Sequence, residues 1–209
     1  MKSRPILFSA PMVRALLAGT KTQTRRVVKV QPHASHNPQH AEPRSAGWVW
    51  MAHDDRPTYS FATGDFRCPY GQPGDQLWVR ETWAHHVQAQ SAERDEDGPF
   101  VYAADGPQAL QARLASKWTP GIHMFRWASR ITLEITAVRV ERLQDISEAD
   151  AQAEGIEYSE RFGGYCIGEA QHFNSHDPRE SYWSLWETIN GPGSVESNPW
   201  VWCLSFKRV

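Results

Sequence analysis

Residues 130–143 form the longest stretch of the sequence in which apolar and polar side chains alternate. The apolar positions are Ile131, Leu133, Ile135 and Ala137, and the positions between them carry Thr or Glu. Side chains of a strand point alternately to its two faces, so this period of two predicts a β-strand with one face in the core. It is the longest strand that the sequence predicts.

Shorter strand and helix patterns lie on both sides of this segment. Strands are predicted over residues 4–8, 22–28, 77–80, 100–103 and 199–209. Helices are predicted to begin at the capping residues Ser9, Ser147 and Asp177 and to end at Gly19, Gly155 and Gly191. A further short helix is predicted within 107–117, and Trp48–Met51 with Thr58–Phe61 predicts an inserted hairpin. This order predicts a mixed α+β fold around a barrel-like sheet.

The charge of the chain is unevenly distributed. The formal net charge is −2, but residues 1–30 contain seven basic residues and no acidic one. The total excludes a wholly basic nucleic-acid-binding arm and an acidic disordered tail. The N-terminal basic block raises the question of a partner that carries phosphate, such as a nucleic acid.

Other features narrow the class of protein. No apolar run reaches the length of a membrane span, the N-terminus lacks the apolar core of a signal peptide, and the three cysteines contain no CxxC pair. The nine histidines do not form a metal-ligand pattern. We therefore expect a cytoplasmic protein without contact to a membrane, metal or cofactor. Most of the ten tryptophans are expected in the core, although some could be stacking platforms.

The segment Gly19–Arg26 is the most informative candidate for a binding site. It combines a tight glycine turn with hydroxyls and cations, namely Lys21, Thr22, Thr24, Arg25 and Arg26. On a strand the two arginines would point to opposite faces, so that Lys21 and one arginine could serve a cavity. The alternative is a solvated basic turn.

Two further segments contain candidate site residues. Arg80, Glu81 and Trp83 lie at or just beyond the end of a predicted buried strand, where site residues often occur. The alternative is an Arg–Glu ion pair beside a core tryptophan. Glu154 ends the acidic helix that starts at Ser147, and a carboxylate there gains nothing from the helix dipole.

In this order, these segments resemble the ASCH domain superfamily, and more closely the ASCH-type proteins of phage and prophage genomes. The resemblance is carried by the pattern Gly-x-Lys-Thr-x-Thr-Arg-Arg over 19–26, by segments 74–83 and 131–156, and by the terminal strand 200–206. It covers most of the chain except insertions at about 31–68 and 157–176. It implies one domain over residues 1–209, a PUA-like β-barrel with flanking short helices, and a cleft that binds RNA or a nucleobase.

The resemblance also implies a chemistry. The small bacterial amidohydrolase of this superfamily, which removes acyl groups from acetylated cytidine, uses a Lys, a Thr three residues later and a Glu on the acidic helix. These match Lys21, Thr24 and Glu154. Substrate contacts are expected from Gly19, Thr22, Arg25, Arg26, Arg80, Glu81, Trp83 and Tyr102. A hydrolase acting on acylated cytidine is therefore the leading hypothesis. A non-catalytic RNA-binding module and a metal-dependent ribonuclease are the alternatives.

In the hydrolase hypothesis the Thr24 hydroxyl attacks the acyl carbonyl and neutral Lys21 accepts its proton. The neighbouring arginines would lower the pKa of Lys21, as this step requires. Glu154 would protonate the leaving amine, and Arg26 or the backbone N–H groups of Gly19–Lys21 would stabilise the oxyanion. The pyrimidine would stack on Trp83 or Tyr102.

Overall fold

The computed structural model describes residues 1–29, 31–32, 40–44, 47–51, 66–87, 97–106, 114–115, 117–167 and 175–209. Its strands are β1 (Ser3–Leu7), β2 (Gln23–Val27), β3 (His40–Arg44), β4 (Gly47–Met51), β5 (Gln76–Arg80), β6 (Trp83–His85), β7 (Phe100–Tyr102), β8 (Thr132–Arg142), β9 (Glu157–Ser159), β10 (Gly164–Cys166) and β11 (Trp200–Arg208). Its α-helices are α1 (Ala10–Ala18), α2 (Glu148–Ala153) and α3 (Pro178–Asn190).

A five-stranded mixed sheet in the order β1-β5-β8-β11-β2 organises the molecule. The β1–β5 pair is parallel, and the other three pairs are antiparallel. The α+β class is therefore confirmed. In the described part of the chain, however, no backbone ladder joins β1 to β2, so the sheet is open and the expected barrel does not close. A side chain spans the two edges instead, because Arg26 Nη2 donates to the main-chain oxygen of Leu7 at 2.9 Å.

The long strand β8 does not keep one face in the core along its whole length. Leu133 and Ile135 are buried, but Ala137, which the alternation placed beside them, is exposed, and Val140 is buried instead. The pairing with β11 shifts here, since Ile135 lies opposite Phe206 and Ala137 lies opposite Ser205. One extra residue in β8 forms a β-bulge, which exchanges the two faces of the strand.

The helix boundaries follow their capping residues. α1 begins after Ser9, with Pro11 in its first turn, and ends at Gly19 in a left-handed conformation with a φ of 81°. Ser147 caps α2 by accepting a hydrogen bond from the Asp150 N–H at 3.1 Å. Asp177 caps α3 in the same way through the Arg179 N–H. These predicted helix starts are confirmed.

Two apolar clusters pack against the sheet. The larger one joins the sheet to all three helices and includes Val13, Leu77, Leu133, Tyr182 and Leu204. The smaller one is aromatic and consists of Val28, Trp50, Phe66, Val140, Trp200 and Trp202. Five tryptophans are buried, namely Trp50, Trp83, Trp186, Trp200 and Trp202. Core burial thus accounts for half of the ten.

The first insertion contains a hairpin, in which β3 pairs with β4 in antiparallel fashion. The predicted strand Trp48–Met51 is therefore present, with His40–Arg44 as its partner. Thr58–Phe61 lies outside the described residues, as does most of the segment 107–117. Within the second insertion, β9 and β10 form a short antiparallel hairpin.

Candidate functional site

The turn at Gly19 joins α1 to β2 and places Lys21 below the helix end. The N–H groups of Gly19, Thr20 and Lys21 donate to the main-chain oxygens of Leu16 and Ala15, at 3.0–3.2 Å. All three donors therefore serve to cap the helix. The expectation that this backbone stabilises an oxyanion is wrong in this conformation.

Glu154 lies at the C-terminal end of α2 and meets Lys21 across an isolated antiparallel bridge. Gly155, with a φ of 95°, permits this approach, because a Cβ at that position would lie 3.1 Å from the Ala15 Cβ and 3.4 Å from the Lys21 Cβ. The close approach of the two segments explains why a carboxylate stands at a helix end where the dipole does not favour it.

Lys21 and Glu154 form a buried ion pair. Lys21 Nζ donates at 2.7 Å to Glu154 Oε2 and also at 2.7 Å to the Glu154 main-chain oxygen. Burial of the ammonium lowers the pKa of Lys21; Glu154 opposes this shift, and the positive charges of Arg26 and Arg25 add to it. The direction is the one that a base requires, although burial contributes more than the arginines to which the sequence argument assigned it.

Arg25 and Arg26 lie on opposite faces of β2. Arg25 is almost completely buried and donates to Gln23, Glu141 and Asp150 at 2.6–3.1 Å. Its Nη1 also lies 3.5 Å from Glu154 Oε1, so this guanidinium contacts the second oxygen of the carboxylate that Lys21 binds. Burial disfavours the charge on Arg25, but neighbouring groups that include Glu154 and Glu141 outweigh it and raise its pKa.

Thr24 is fully buried, with an exposed fraction of 0 %. Its hydroxyl accepts a hydrogen bond from Arg26 Nη1 at 2.8 Å. The same guanidinium lies over the ring of Phe8, 5.3 Å from its centroid, and Lys21 Nζ lies 5.5 Å from that centroid. Arg26 therefore links Thr24 to the ring that covers Lys21. Thr22 and Gly19 are both exposed.

A cavity of about 500 Å³ lies beside this cluster. Three of its lining residues are charged, namely Arg25, Arg26 and Glu154. The remainder are largely apolar or aromatic and come mainly from β1, α1, the turn around Gly121 and α3, including Leu7, Phe8, Met12, Ile122, Tyr182, Leu185, Trp186 and Ile189. Lys21 and Thr24 are not among the described residues that line the cavity. The ion pair thus reaches the cavity through Glu154.

The sequence did not identify the α3 side of this cavity as part of a site. Tyr182, Leu185, Trp186 and Ile189 form an apolar stripe at helical spacing, and such a stripe ordinarily faces the core. Three of the four are buried, whereas Ile189 is exposed at the cavity. That exposure depends on tertiary packing and leaves no local signal in the sequence.

The remaining predicted contact residues lie in a second polar and aromatic cluster, around Glu81 and Arg130, which is distinct from the two apolar clusters that pack against the sheet. Glu81 is buried and accepts two hydrogen bonds from Arg130, at 3.0 and 3.1 Å, while Arg80 donates from Nε to the Met124 main-chain oxygen. Burial raises the pKa of Glu81, and Arg130 opposes this shift. The sequence had suggested Arg80 as the possible partner of Glu81, but the partner is Arg130.

Trp83 and Tyr102 belong to the same second cluster and are both buried. The Arg130 guanidinium covers the Tyr102 ring at 3.9 Å from its centroid, and the Tyr102 hydroxyl donates to the Ala128 main-chain oxygen at 2.8 Å. Neither ring presents a free face to a pyrimidine. The expectation that a base stacks on them is wrong in this conformation, because their faces are used in packing.

Among the described residues, no group of three or more His, Cys, Asp or Glu side chains is placed to hold a metal ion. His33 and His36 lie outside the described part of the chain. No described helix is both long and apolar enough to cross a membrane.

Comparisons with known proteins yield little for this chain. No family model matches it, and no curated protein matches it. A solved structure that is similar is that of a protein from Enterococcus faecalis assigned to the family DUF984. The sequence identity is 11 %, the TM-score is 0.39, and the match covers all of this chain and 80 % of the other.

Proposed function

We propose that the cavity binds a nucleoside and that the chain hydrolyses the amide of an acylated cytidine there. One observation carries the proposal, namely the ion pair of Lys21 and Glu154. A lysine whose pKa is lowered by burial is hydrogen bonded to a carboxylate, and that carboxylate lines a largely apolar cavity. Such pairing of perturbed groups beside a cavity is characteristic of sites of proton transfer.

The size and lining of the cavity suit a ligand of this kind. A volume of about 500 Å³ lies within the range of small-molecule sites, about 300–1,000 Å³. Leu7, Ile122 and Ile189 offer exposed apolar surface to a planar base, and the buried rings of Phe8, Tyr182 and Trp186 form the wall behind them. The Arg26 guanidinium lines the cavity and can donate hydrogen bonds to a carbonyl oxygen as negative charge develops on it.

Arg26 couples substrate binding to activation of the nucleophile. In the free protein its guanidinium donates a hydrogen bond to the Thr24 hydroxyl oxygen, Oγ1. When the guanidinium turns toward an acyl oxygen in the cavity, a lone pair on Thr24 becomes available for attack. The arginine that holds the oxyanion is therefore the same group that restrains Thr24 before substrate binds.

The proposed reaction proceeds through an acyl-threonine. Once Arg26 has turned away and opened Thr24 to the cavity, Thr24 Oγ1 forms a bond to the acyl carbon and gives its proton to neutral Lys21. That proton passes through Glu154, which Lys21 contacts directly, to the exocyclic amine as the amide C–N bond breaks. Water then attacks the ester, one of its protons returns to Thr24, and a carboxylic acid and cytidine leave.

A specific observation favours a second candidate function, that of a non-catalytic binder. Thr24 is fully buried and already hydrogen bonded, and Lys21 is committed to Glu154. In this candidate Arg25, Arg26 and Glu154, which line the cavity, recognise the base while Lys21 and Thr24 hold them in place from behind, and no bond is broken. The ribonuclease alternative stays a hypothesis without an observation of its own.

The test is incubation of the protein with acetylated cytidine, followed by separation of the free nucleoside. We expect the wild type to release cytidine and Lys21→Met, Thr24→Val and Glu154→Gln each to lose at least about a hundredfold in rate. Lys207→Met, at an exposed lysine on β11, is the matched control and should keep the wild-type rate. An unchanged rate in Thr24→Val would overturn the assignment of Thr24 as the nucleophile. A wild type that binds cytidine but releases no acetate from acetylated cytidine would overturn the hydrolase and support the non-catalytic binder.

A further inference from the structure

Two exposed aromatic rings lie stacked on the surface beside the cavity. Phe125 is 59 % exposed and Trp127 is 37 % exposed. Their ring centroids lie 5.2 Å apart with an interplanar angle of 10°. We call this pair the aromatic platform. Exposed aromatic surface of this kind in a soluble domain marks an interaction site more often than it serves stability.

The platform is held by the buried cluster below it. Trp127 meets Trp83 edge to face at 5.4 Å and packs against Phe100 at the same distance. The next residue, Ala128, is buried and accepts the Tyr102 hydroxyl through its main-chain oxygen. Trp83 and Tyr102 thus act as a support that fixes the outer rings. A surface fixed in advance loses little conformational freedom when a ligand binds.

The charge around the platform favours an anionic partner. Residues 117–130 contain Lys117, Arg126 and Arg130 and no acidic residue. Glu81 and Asp105 pair with Arg130, so the positive charge here comes from Lys117 and Arg126. Arg126 lies between the two platform residues in the chain, and both it and Arg80 place a guanidinium over the Trp78 ring, at 6.0 and 4.9 Å. Aromatic faces next to arginines are the combination that binds bases and phosphates of single strands.

The segment that carries the platform also lines the cavity. Pro120, Gly121 and Ile122 are lining residues, and Ile122 is largely exposed. Ile122 and Phe125 are three positions apart in the chain, so their Cα atoms lie at most about 10 Å apart. A base in the cavity and a base on the platform can therefore belong to one short strand.

We propose that the aromatic platform binds an unpaired base of a single-stranded nucleic acid whose neighbouring nucleoside enters the cavity. Together with the proposed function, this makes an acylated cytidine within a single strand the substrate, in preference to the free nucleoside. Phe125, whose inner face lies against Trp127, offers its outer face to a base without sequence preference, because every base has a π-face. Arg126 and Arg80 hold the adjoining phosphates.

The experiment uses three probes: free acetylcytidine, a six-nucleotide single-stranded RNA with one acetylcytidine, and the DNA strand of the same sequence. Binding is measured by anisotropy of a labelled strand and hydrolysis by release of the acetyl group. We expect Phe125→Ser and Trp127→Leu each to weaken binding of a strand by about tenfold to a hundredfold. Rates on the free nucleoside should stay unchanged. Tyr158→Ser, at an exposed aromatic on β9, is the matched control and should bind the strand as the wild type does.

The outcomes separate this inference from the proposed function. If the wild type hydrolyses the free nucleoside and the platform variants bind both strands normally, the role of the platform is overturned and the proposed hydrolase activity is supported. A wild type that binds a strand through the platform and hydrolyses none of the probes supports the platform and overturns the hydrolase. Loss of binding confined to the RNA or to the DNA strand identifies the nucleic acid, and equal weakening by Tyr158→Ser overturns the inference.

Discussion

Lys21 Nζ and Glu154 Oε2 lie 2.7 Å apart although 133 positions separate the two residues in the sequence. Both side chains are almost completely buried, with side-chain exposures of 0 and 3 %. A contact of this kind can be neutral overall, since the cost of removing two charges from water offsets their attraction, but breaking it from one side leaves a buried charge without its partner.

The first prediction concerns that asymmetry. Lys21→Met should lower the free energy of unfolding by about 3–5 kcal/mol, because Glu154 would remain buried with only the longer contact to Arg25. The double variant Lys21→Met with Glu154→Leu should be less destabilised than the sum of the two single variants. Urea unfolding of the four proteins measures the coupling, and strict additivity would contradict a direct interaction.

The second prediction concerns the pH dependence of hydrolysis. In the proposed reaction Lys21 acts in its neutral form, so kcat/KM should rise as the pH increases through the pKa of Lys21 and then level off. Burial places this pKa below the ordinary value of 10.5. Arg26 lowers it further, so Arg26→Met, besides its loss of rate, should move the midpoint of the rise to higher pH. A rate profile between pH 6 and 10 checks both statements, and a rate that falls with pH over this range would exclude Lys21 as the base.

The third prediction concerns Asp75, which ties the N-terminus to the start of β5. A hydrogen bond from the Lys2 main-chain N–H at 2.7 Å, together with Arg4 at 3.1 Å, lowers the pKa of Asp75. A lowered carboxyl pKa stabilises the fold above the unfolded value near 3.8, and this stability is lost as the pH falls through the folded value. Asp75→Asn should therefore cost about 1–2 kcal/mol at pH 7 and progressively less below pH 4. Thermal unfolding at a series of pH values measures the difference, which would stay constant if the charge of Asp75 did not contribute.

The fourth prediction concerns Gly121, where the turn at the cavity passes close to β1 and β5. A Cβ at this position would lie 2.8 Å from Leu7 Cδ1 and 3.0 Å from the main-chain carbon of Glu81. Gly121→Ala should cost about 1–3 kcal/mol and displace the Leu7 side chain at the cavity. Gly163→Ala is the control, since its φ of 67° imposes strain in open space without any contact. Equal binding of cytidine by both variants would show that the cavity does not depend on this close approach.

The fifth prediction concerns the aromatic cluster under the first insertion. Trp50 stacks on Phe66 at 4.5 Å and lies 5.0 Å from Trp200 of β11. Trp50→Ala should lower the free energy of unfolding by about 3–5 kcal/mol, because it leaves a large void in a packed cluster. Hydrolysis should persist below the melting temperature, since Trp50 does not line the cavity. A variant as stable as the wild type would show that the hairpin is not docked through this ring.

Local features of the sequence were sufficient where local chemistry decides the outcome. The ends of α1 are set by local backbone preferences, with Ser9 before the helix, Pro11 in its first turn and Gly19 after it. The sequence therefore predicts both ends of α1 within one residue. Ala137 was misplaced because a β-bulge depends on the pairing strand, and alternation within β8 does not reveal it. The open sheet likewise depends on which strands become edges, a property of the whole topology.

The residues of the candidate site also fall into those that the local sequence predicts and those that only the tertiary structure reveals. The pattern over 19–26 pointed to Lys21 and to one of the two arginines. Glu154 was joined to Lys21 as a site residue only through the family resemblance, because residues so far apart carry no local signal of their contact. Trp83 was expected to stack on a base because large aromatics suit both core and ligand. Phe125 and Trp127 were overlooked because the segment around them has no periodic pattern, and only tertiary packing determines which aromatic rings face outward.

The bond from Arg26 Nη2 to the Leu7 main-chain oxygen has a consequence for the solubility of the chain. β1 and β2 are the two outer strands of the sheet, and such strands offer unpaired backbone groups to other molecules. Arg26 donates to one of these acceptors, the Leu7 main-chain oxygen. Its positive charge therefore lies at the edge of the sheet where a strand of another molecule would pair. Arg26 therefore lines the cavity and also covers an acceptor at the edge of the sheet, so we expect Arg26→Met to aggregate more readily than the wild type.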